Sequence, residues 1–142
     1  LPGVRIVVRA PTLEGDGVVL STESDERGRF AFELDKRPEA AELCATSRSH
    51  SEERRPLPPA GTLRIALVTR RRAVLRRLVS WARVRGVPYD QAPEPTPGHV
   101  RGVADRDEVR TWASGVEHAA FGPDEVDEGM ETELRDREPG PN

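Results

Sequence analysis

The chain has 142 residues, room for one medium domain or two small ones. Only 35% of them are hydrophobic, and 12 Gly and 13 Pro predict modest cores joined by long connections. A net charge of −3 argues against nucleic acid as a partner, and a single cysteine, Cys44, excludes an intrachain disulfide. No apolar run is long enough for a helix to span a bilayer, and no signal peptide is recognisable. The chain starts at Leu1 rather than Met and reads as part of a longer protein.

The first 70 residues read as short strands. Val4–Ala10 is rich in β-branched residues, with Val4, Ile6 and Val8 on one face, and Pro11 is expected to stop it. Gly15-Asp16-Gly17 predicts a turn before a second strand over 18–22. Glu23–Gly28 is a tight connection in which Gly28 takes a positive φ. A third strand is expected at Arg29–Leu34, with Phe30 and Phe32 sharing a face, and a fourth at Ala40–Ser47, with Leu43 and Ala45 inward. Ser49-His50-Ser51 predicts a turn, and Glu52–Leu57 a polar edge strand ended by Pro58-Pro59. Thr62–Thr69 closes the set, with Leu63, Ile65 and Leu67 alternating inward. Strands at this spacing predict a small antiparallel β-sandwich over residues 1–70.

Leu1-Pro2-Gly3-Val4-Arg5-Ile6, followed by Ser21-Thr22, Asp25-Glu26 and Gly28-Arg29-Phe30, resembles the carboxypeptidase regulatory-like domain. The signature of that family is a Pro-Leu-Pro-Gly-Val opening and a Thr-Asp-x-x-Gly-x-Phe turn. The resemblance implies a transthyretin-like β-sandwich, with Gly28 in the turn and Phe30 in the core. It implies no peptidase activity.

From about Thr69 the hydrophobic period changes from two to about three and a half. Over Arg70–Gly86, the residues Val74, Leu75, Leu78, Val79, Trp81 and Ala82 form one apolar arc. Arg72, Arg76, Arg77 and Arg83 lie opposite, and Arg71 and Arg85 sit at the ends of the arc. Gly86 in a left-handed conformation is expected to end this helix, and Pro88 to prevent its resumption. The helix holds no acid, so water, anions or another segment must answer its charge. A Pro-rich linker is expected to stay on the surface over Val87–Pro97. Thr96 and Pro97 then supply an N-cap and a first helical residue, and Val100, Val103 and Ala104 a small apolar edge. Asp105–Ala120 is the clearest helix, with Val109, Trp112, Ala113, Val116, Ala119 and Ala120 on one face. Asp124–Arg137 carries a thinner stripe, Val126, Met130 and Leu134, in a helix expected to fray into an acidic C-terminus.

The basic helix, Thr96-Pro97 with Val100, and Trp112 with Val116-Glu117 and Ala119-Ala120-Phe121-Gly122 are similar to the C-terminal helical segment of bacterial DUF4129 proteins. The similarity spans residues 71–134. It implies the soluble portion of a membrane-anchored protein and carries no catalytic residues with it. Here Thr-Pro-Gly-His replaces the family's Thr-Pro-Arg-Glu start, and Phe121 its usual Tyr.

Few residues offer chemistry. His50, His99, His118 and Cys44 have no metal-ligand spacing, so no metal site is assigned. Cys44 with His50 is the one conceivable nucleophile pair, but Cys44 lies in an apolar strand and reads as a core residue. Ser114 and His118 read as a solvated pair on a helix surface. Asp124, Glu125, Asp127, Glu128 and Glu131 lack the order of a calcium loop, and no glycine-rich phosphate loop is present. Catalytic, cofactor and metal residues are therefore assigned to none. The basic helix has three possible destinations. Packing against the Trp112 face, with arginines near the acidic last helix, is the favoured one; the next is an anionic membrane surface met by Arg72, Arg76, Arg77 and Arg83. Nucleic acid is the least favoured.

These readings predict an α+β chain: a small antiparallel sandwich over 1–70, then a small helical bundle over 71–142 with both tryptophans buried. The expected role is a non-catalytic module that binds another protein, at the bacterial cell envelope or its cytoplasmic face. The alternative is a regulatory or substrate-binding appendage of an enzyme encoded elsewhere in the full-length protein.

Overall fold

The computed structural model describes residues 1–141 and shows an α+β chain, a small antiparallel sheet followed by helices. The chain divides into two compact units, Leu1–Leu67 and a second from Val68 onward.

The first unit is built on four strands: β1 (Arg5–Thr12), β2 (Gly15–Glu23), β3 (Glu42–Ser47) and β4 (His50–Pro56). They form one antiparallel sheet in the order β2-β1-β3-β4. Alternation places Ile6, Val8, Ala10, Leu43 and Ala45 in one core with Leu57. On the other face Val7 pairs with Cys44, and both are buried. Pro11 does not stop β1, which runs on to Thr12. Pairing with β3 ends at Arg9, so the missing Pro11 N–H costs no bond on that side. The first turn is Leu13-Glu14, and Gly15–Gly17 already belong to β2. The second turn is likewise displaced: Arg48-Ser49 make it, and His50 opens β4 opposite Ser47.

The Asp25–Arg29 turn forms as its residue types dictate. Asp25 Oδ1 accepts from the backbone N–H of Arg27 (2.9 Å) and of Arg29 (2.8 Å). Gly28 takes φ 74°, a region that costs a side chain strain. The expected strands at Arg29–Leu34 and Thr62–Thr69 are not strands of a ladder. Both segments lie outside regular secondary structure, and Phe30, Phe32, Leu34, Leu63, Ile65 and Leu67 pack half-buried against the sheet core. They cover the sheet by side-chain burial, and among the described residues they form no ladder of a second sheet.

The second unit holds α1 (Arg70–Arg85), α2 (Pro97–Val103), α3 (Asp107–Phe121) and α4 (Glu128–Asp136). Leu78, Trp81, Ala82, Val100, Val109, Trp112, Ala113 and Val116 form its core, as the helical period predicts. The Trp81 and Trp112 rings lie 5.2 Å apart, and Tyr89 meets Trp81 edge-on at 4.9 Å. Thr96 caps α2 by accepting from the His99 N–H (3.2 Å), with Pro97 as the first helical residue. Gly86 ends α1 with φ 69° but ψ −153°, a glycine-favouring conformation outside the left-handed helical basin. Three expectations need correction. The 87–97 linker is not wholly on the surface, since Pro95 and Pro97 are buried and Tyr89 packs on the core. The last helix starts at Glu128, because Asp127 caps it by accepting from the Met130 N–H (2.8 Å); Val126 is buried ahead of it. The C-terminal segment does not simply fray after α4, as its contacts below show.

Candidate interaction surfaces

The two edges of the sheet differ. β4 places Glu52, Glu53, Arg54 and Arg55 in sequence, with Arg54 paired to Glu52 and Arg55 to Glu53 (2.9 Å). A charged edge resists the approach of another strand. β2 has no charge from Gly17 to Thr22, and Val18 and Val19 are 59% and 44% exposed. Val19 is the extra residue where the β1–β2 register shifts, between the Val8–Leu20 and Arg9–Val18 pairs. Leu13, at the tip of the same hairpin, is fully exposed.

The second layer of this unit is open. Two grooves of about 700 and 790 Å³ flank the segments 29–34 and 62–67. Phe30, Thr62 and Leu63 line both grooves. The floor of the first includes Leu43 and Leu57, that of the second Val4, Ile6 and Ala45.

Within the helical unit the arginines of α1 divide into two groups. Arg71 donates to the carbonyls of Ala119 (3.2 Å), Ala120 (3.2 Å), Gly122 (2.7 Å) and Asp124 (2.6 Å), and so satisfies the exposed end of α3. Arg70, buried, pairs with Glu131 at 2.5 Å, and Arg77 with Glu138 at 2.5 Å. Arg85 stacks 4.0 Å from the Trp81 ring and donates to the Pro139 carbonyl (2.8 Å). The same carbonyl accepts from Trp81 Nε1 at 2.9 Å, and the Gly140 carbonyl accepts from Arg106 at 3.2 Å. Residues 138–140 are thus a strap across Trp81. Its signal is absent from any hydrophobic pattern, because backbone carbonyls make the contacts. Arg72, Arg76 and Arg83 remain exposed on one side of α1, and Arg72 and Arg76 make no side-chain hydrogen bond or ion pair among the described residues. Trp81, the apolar anchor a membrane contact would need, is 3% exposed.

The residues weighed for catalysis are dispersed. Cys44 is 2% exposed and faces Arg54, whereas His50 faces Ser47 and lies 3.0 Å from the Ser49 hydroxyl. Burial pushes the Cys44 thiol pKa up, with the Glu52 carboxylate adding to it, opposite to what an attacking thiolate needs. His99 Nε2 lies 2.8 Å from the Pro88 carbonyl, and His118 Nε2 lies 3.3 Å from Asp124 Oδ2 at the surface. Burial and a 3.1 Å hydrogen bond to Asp105 raise the Tyr89 phenol. Among the described residues, no three His, Cys, Asp or Glu side chains gather as a metal site. No helix of the described residues is long and apolar enough to cross a membrane.

Compared with known proteins, the chain matches no family model, no curated protein and no solved structure.

Proposed function

We propose that the chain is a non-catalytic protein-interaction module, the soluble part of a bacterial envelope-associated protein. The observation that carries the interaction role is the asymmetry of the sheet: one edge is blocked by charge, and the other is uncharged from Gly17 to Thr22 with Val18 and Val19 exposed. An edge of this kind offers backbone hydrogen bonds and apolar contact to a docking chain. The placement at the envelope draws on the resemblance of residues 71–134 to the helical segment of membrane-anchored proteins. The alternative, a substrate-binding appendage of an enzyme, draws on the two open grooves of the β unit.

A photo-reactive amino acid placed at Val18 and, separately, at Glu53 tests the role in bacterial envelope extracts. The Val18 probe is expected to yield a discrete protein adduct that Val19→Lys abolishes, and the Glu53 probe none. Equal labelling from both positions, or none from Val18, refutes the reading.

A further inference from the structure

We propose that Trp81, Arg77 and Arg85 form a recognition site for an acid-proline step in another polypeptide, occupied here by the chain's own Glu138-Pro139. The site belongs to the helical unit and does not rest on the reading of the β2 edge.

Four donor groups meet the strap. Trp81 Nε1 (2.9 Å) and Arg85 (2.8 Å) both donate to the Pro139 carbonyl, and Arg106 donates to the Gly140 carbonyl (3.2 Å). Arg77 pairs with the Glu138 carboxylate at 2.5 Å. Indole and guanidinium groups offer no acceptor in return. A peptide N–H set among them would stay unpaired, and proline is the residue that presents a carbonyl without one. Pro139 is buried, whereas Gly140 and Pro141 beside it are exposed. A side chain added at Gly140 would meet nothing within 4 Å, so the position after the proline is unrestricted. Arg77 adds the demand for an acid just before it. The recognised unit is thus one carboxylate and one proline carbonyl, read by charge-assisted donors beside an aromatic ring.

The receiving groups have supports of their own. Trp81 packs against Trp112 (5.2 Å) and Tyr89 (4.9 Å), and the Tyr89 hydroxyl donates to Asp105 (3.1 Å). Arg85 lies 4.0 Å from the indole centroid and also donates to the Trp81 carbonyl (3.4 Å). Glu108 holds Arg106 at 2.9 Å. Donors fixed in advance cost a ligand little further ordering. To these donors the strap offers two backbone carbonyls and one partly exposed carboxylate. Another chain carrying the same groups can take its place. A tethered segment competes at an effective concentration on the order of millimolar, so loosening the strap bares the site.

The test uses the full chain and three capped peptides: Ala-Glu-Pro-Ala-Pro, Ala-Lys-Pro-Ala-Pro and the proline-free Ala-Glu-Ala-Ala-Ala. Nuclear magnetic resonance follows the two indole N–H signals during titration. Trp112 Nε1 donates to the Leu134 carbonyl (2.9 Å) and serves as the internal reference. The Glu-Pro peptide is expected to move the Trp81 signal and not that of Trp112. Its Kd should fall roughly tenfold when Glu138→Lys and Pro139→Ala together loosen the strap. The other two peptides should bind that variant at least about tenfold more weakly than the Glu-Pro peptide. Arg77→Glu alone, at a partly exposed position, should loosen the strap and turn the preference toward the Lys-Pro peptide.

The proposal is overturned if no peptide moves the Trp81 signal, if all three bind alike, or if loosening the strap leaves Kd unchanged. Loss of the Trp112 signal in both strap-loosened proteins makes the strap purely structural and overturns it too. Dimerisation that grows with concentration, with the Trp81 signal indifferent to peptide, makes a second copy's strap the occupant instead of a partner. The photo-adduct at Val18 reads the other unit, so failure here leaves that role standing.

Discussion

Removing the strap tests the helical unit most directly. A chain ending at Arg137 loses the Pro139 carbonyl that accepts from Trp81 (2.9 Å) and Arg85 (2.8 Å), and the Glu138 carboxylate paired with Arg77. Each of the two hydrogen bonds contributes about 0.5–1.5 kcal/mol net. The partly exposed Arg77–Glu138 pair adds about 0–1 kcal/mol after solvent screening. Water reaches the bared indole N–H, so no full penalty for a buried unpaired donor applies. The expected loss is about 1–4 kcal/mol from the stability of the helical unit. Both tryptophans belong to that unit, so indole fluorescence during urea unfolding reports on it without interference from the β unit. The truncated chain should unfold at lower urea with an unchanged slope, and its native emission should shift to the red as Trp81 becomes wet. Glu138→Ala alone should cost under about 1 kcal/mol. A truncation that costs less than about 0.5 kcal/mol with unshifted emission refutes the strap as a packed element.

Gly28→Ala places a side chain at φ 74° and against the Leu1 backbone, and should destabilise the β unit by about 1–3 kcal/mol, read as faster labelling of Cys44 by a thiol reagent. Cys44 itself should resist that reagent in native protein at mildly alkaline pH and react on unfolding; rapid native labelling would contradict its burial. Its thiol pKa is raised in the folded state, so its contribution to stability is present below the unfolded value and is lost as pH rises through the folded one. Cys44→Ala should therefore flatten the alkaline fall in stability of the β unit. Asp25 has the opposite sign: backbone hydrogen bonds from Arg29 and Arg27 lower its pKa, so its contribution is present above the unfolded value and lost as pH falls. Asp25→Asn should weaken that acid dependence in a urea titration followed by circular dichroism. On anionic vesicles, any binding through Arg72, Arg76 and Arg83 should vanish as salt is raised, since Trp81 is buried; flotation that persists at high salt would contradict that burial.

What could be read without coordinates was local. The arc of α1, the face of α3, the Thr96-Pro97 start and the Asp25–Gly28 turn follow from spacing and residue type, because each is decided within a few residues along the chain. The first hairpin turn lies two residues before the Gly15-Asp16-Gly17 signal, since the pairing of β1 with β2, and not the glycines, sets where the chain reverses. The alternation in 29–34 and 62–67 was legible in the sequence, but not that these segments stay outside the sheet ladder. Alternation reports which face is buried and is silent about backbone neighbours.

The sequence by itself determined two periodicities and the caps that bound them, hence an α+β chain with a sheet before the helices. Tertiary structure alone decided which arginine of α1 meets carbonyl, carboxylate, indole or water, and that Pro139 returns to Trp81. Those outcomes depend on residues up to 61 positions apart, and electrostatic pairing over such separations leaves no periodic trace in a sequence.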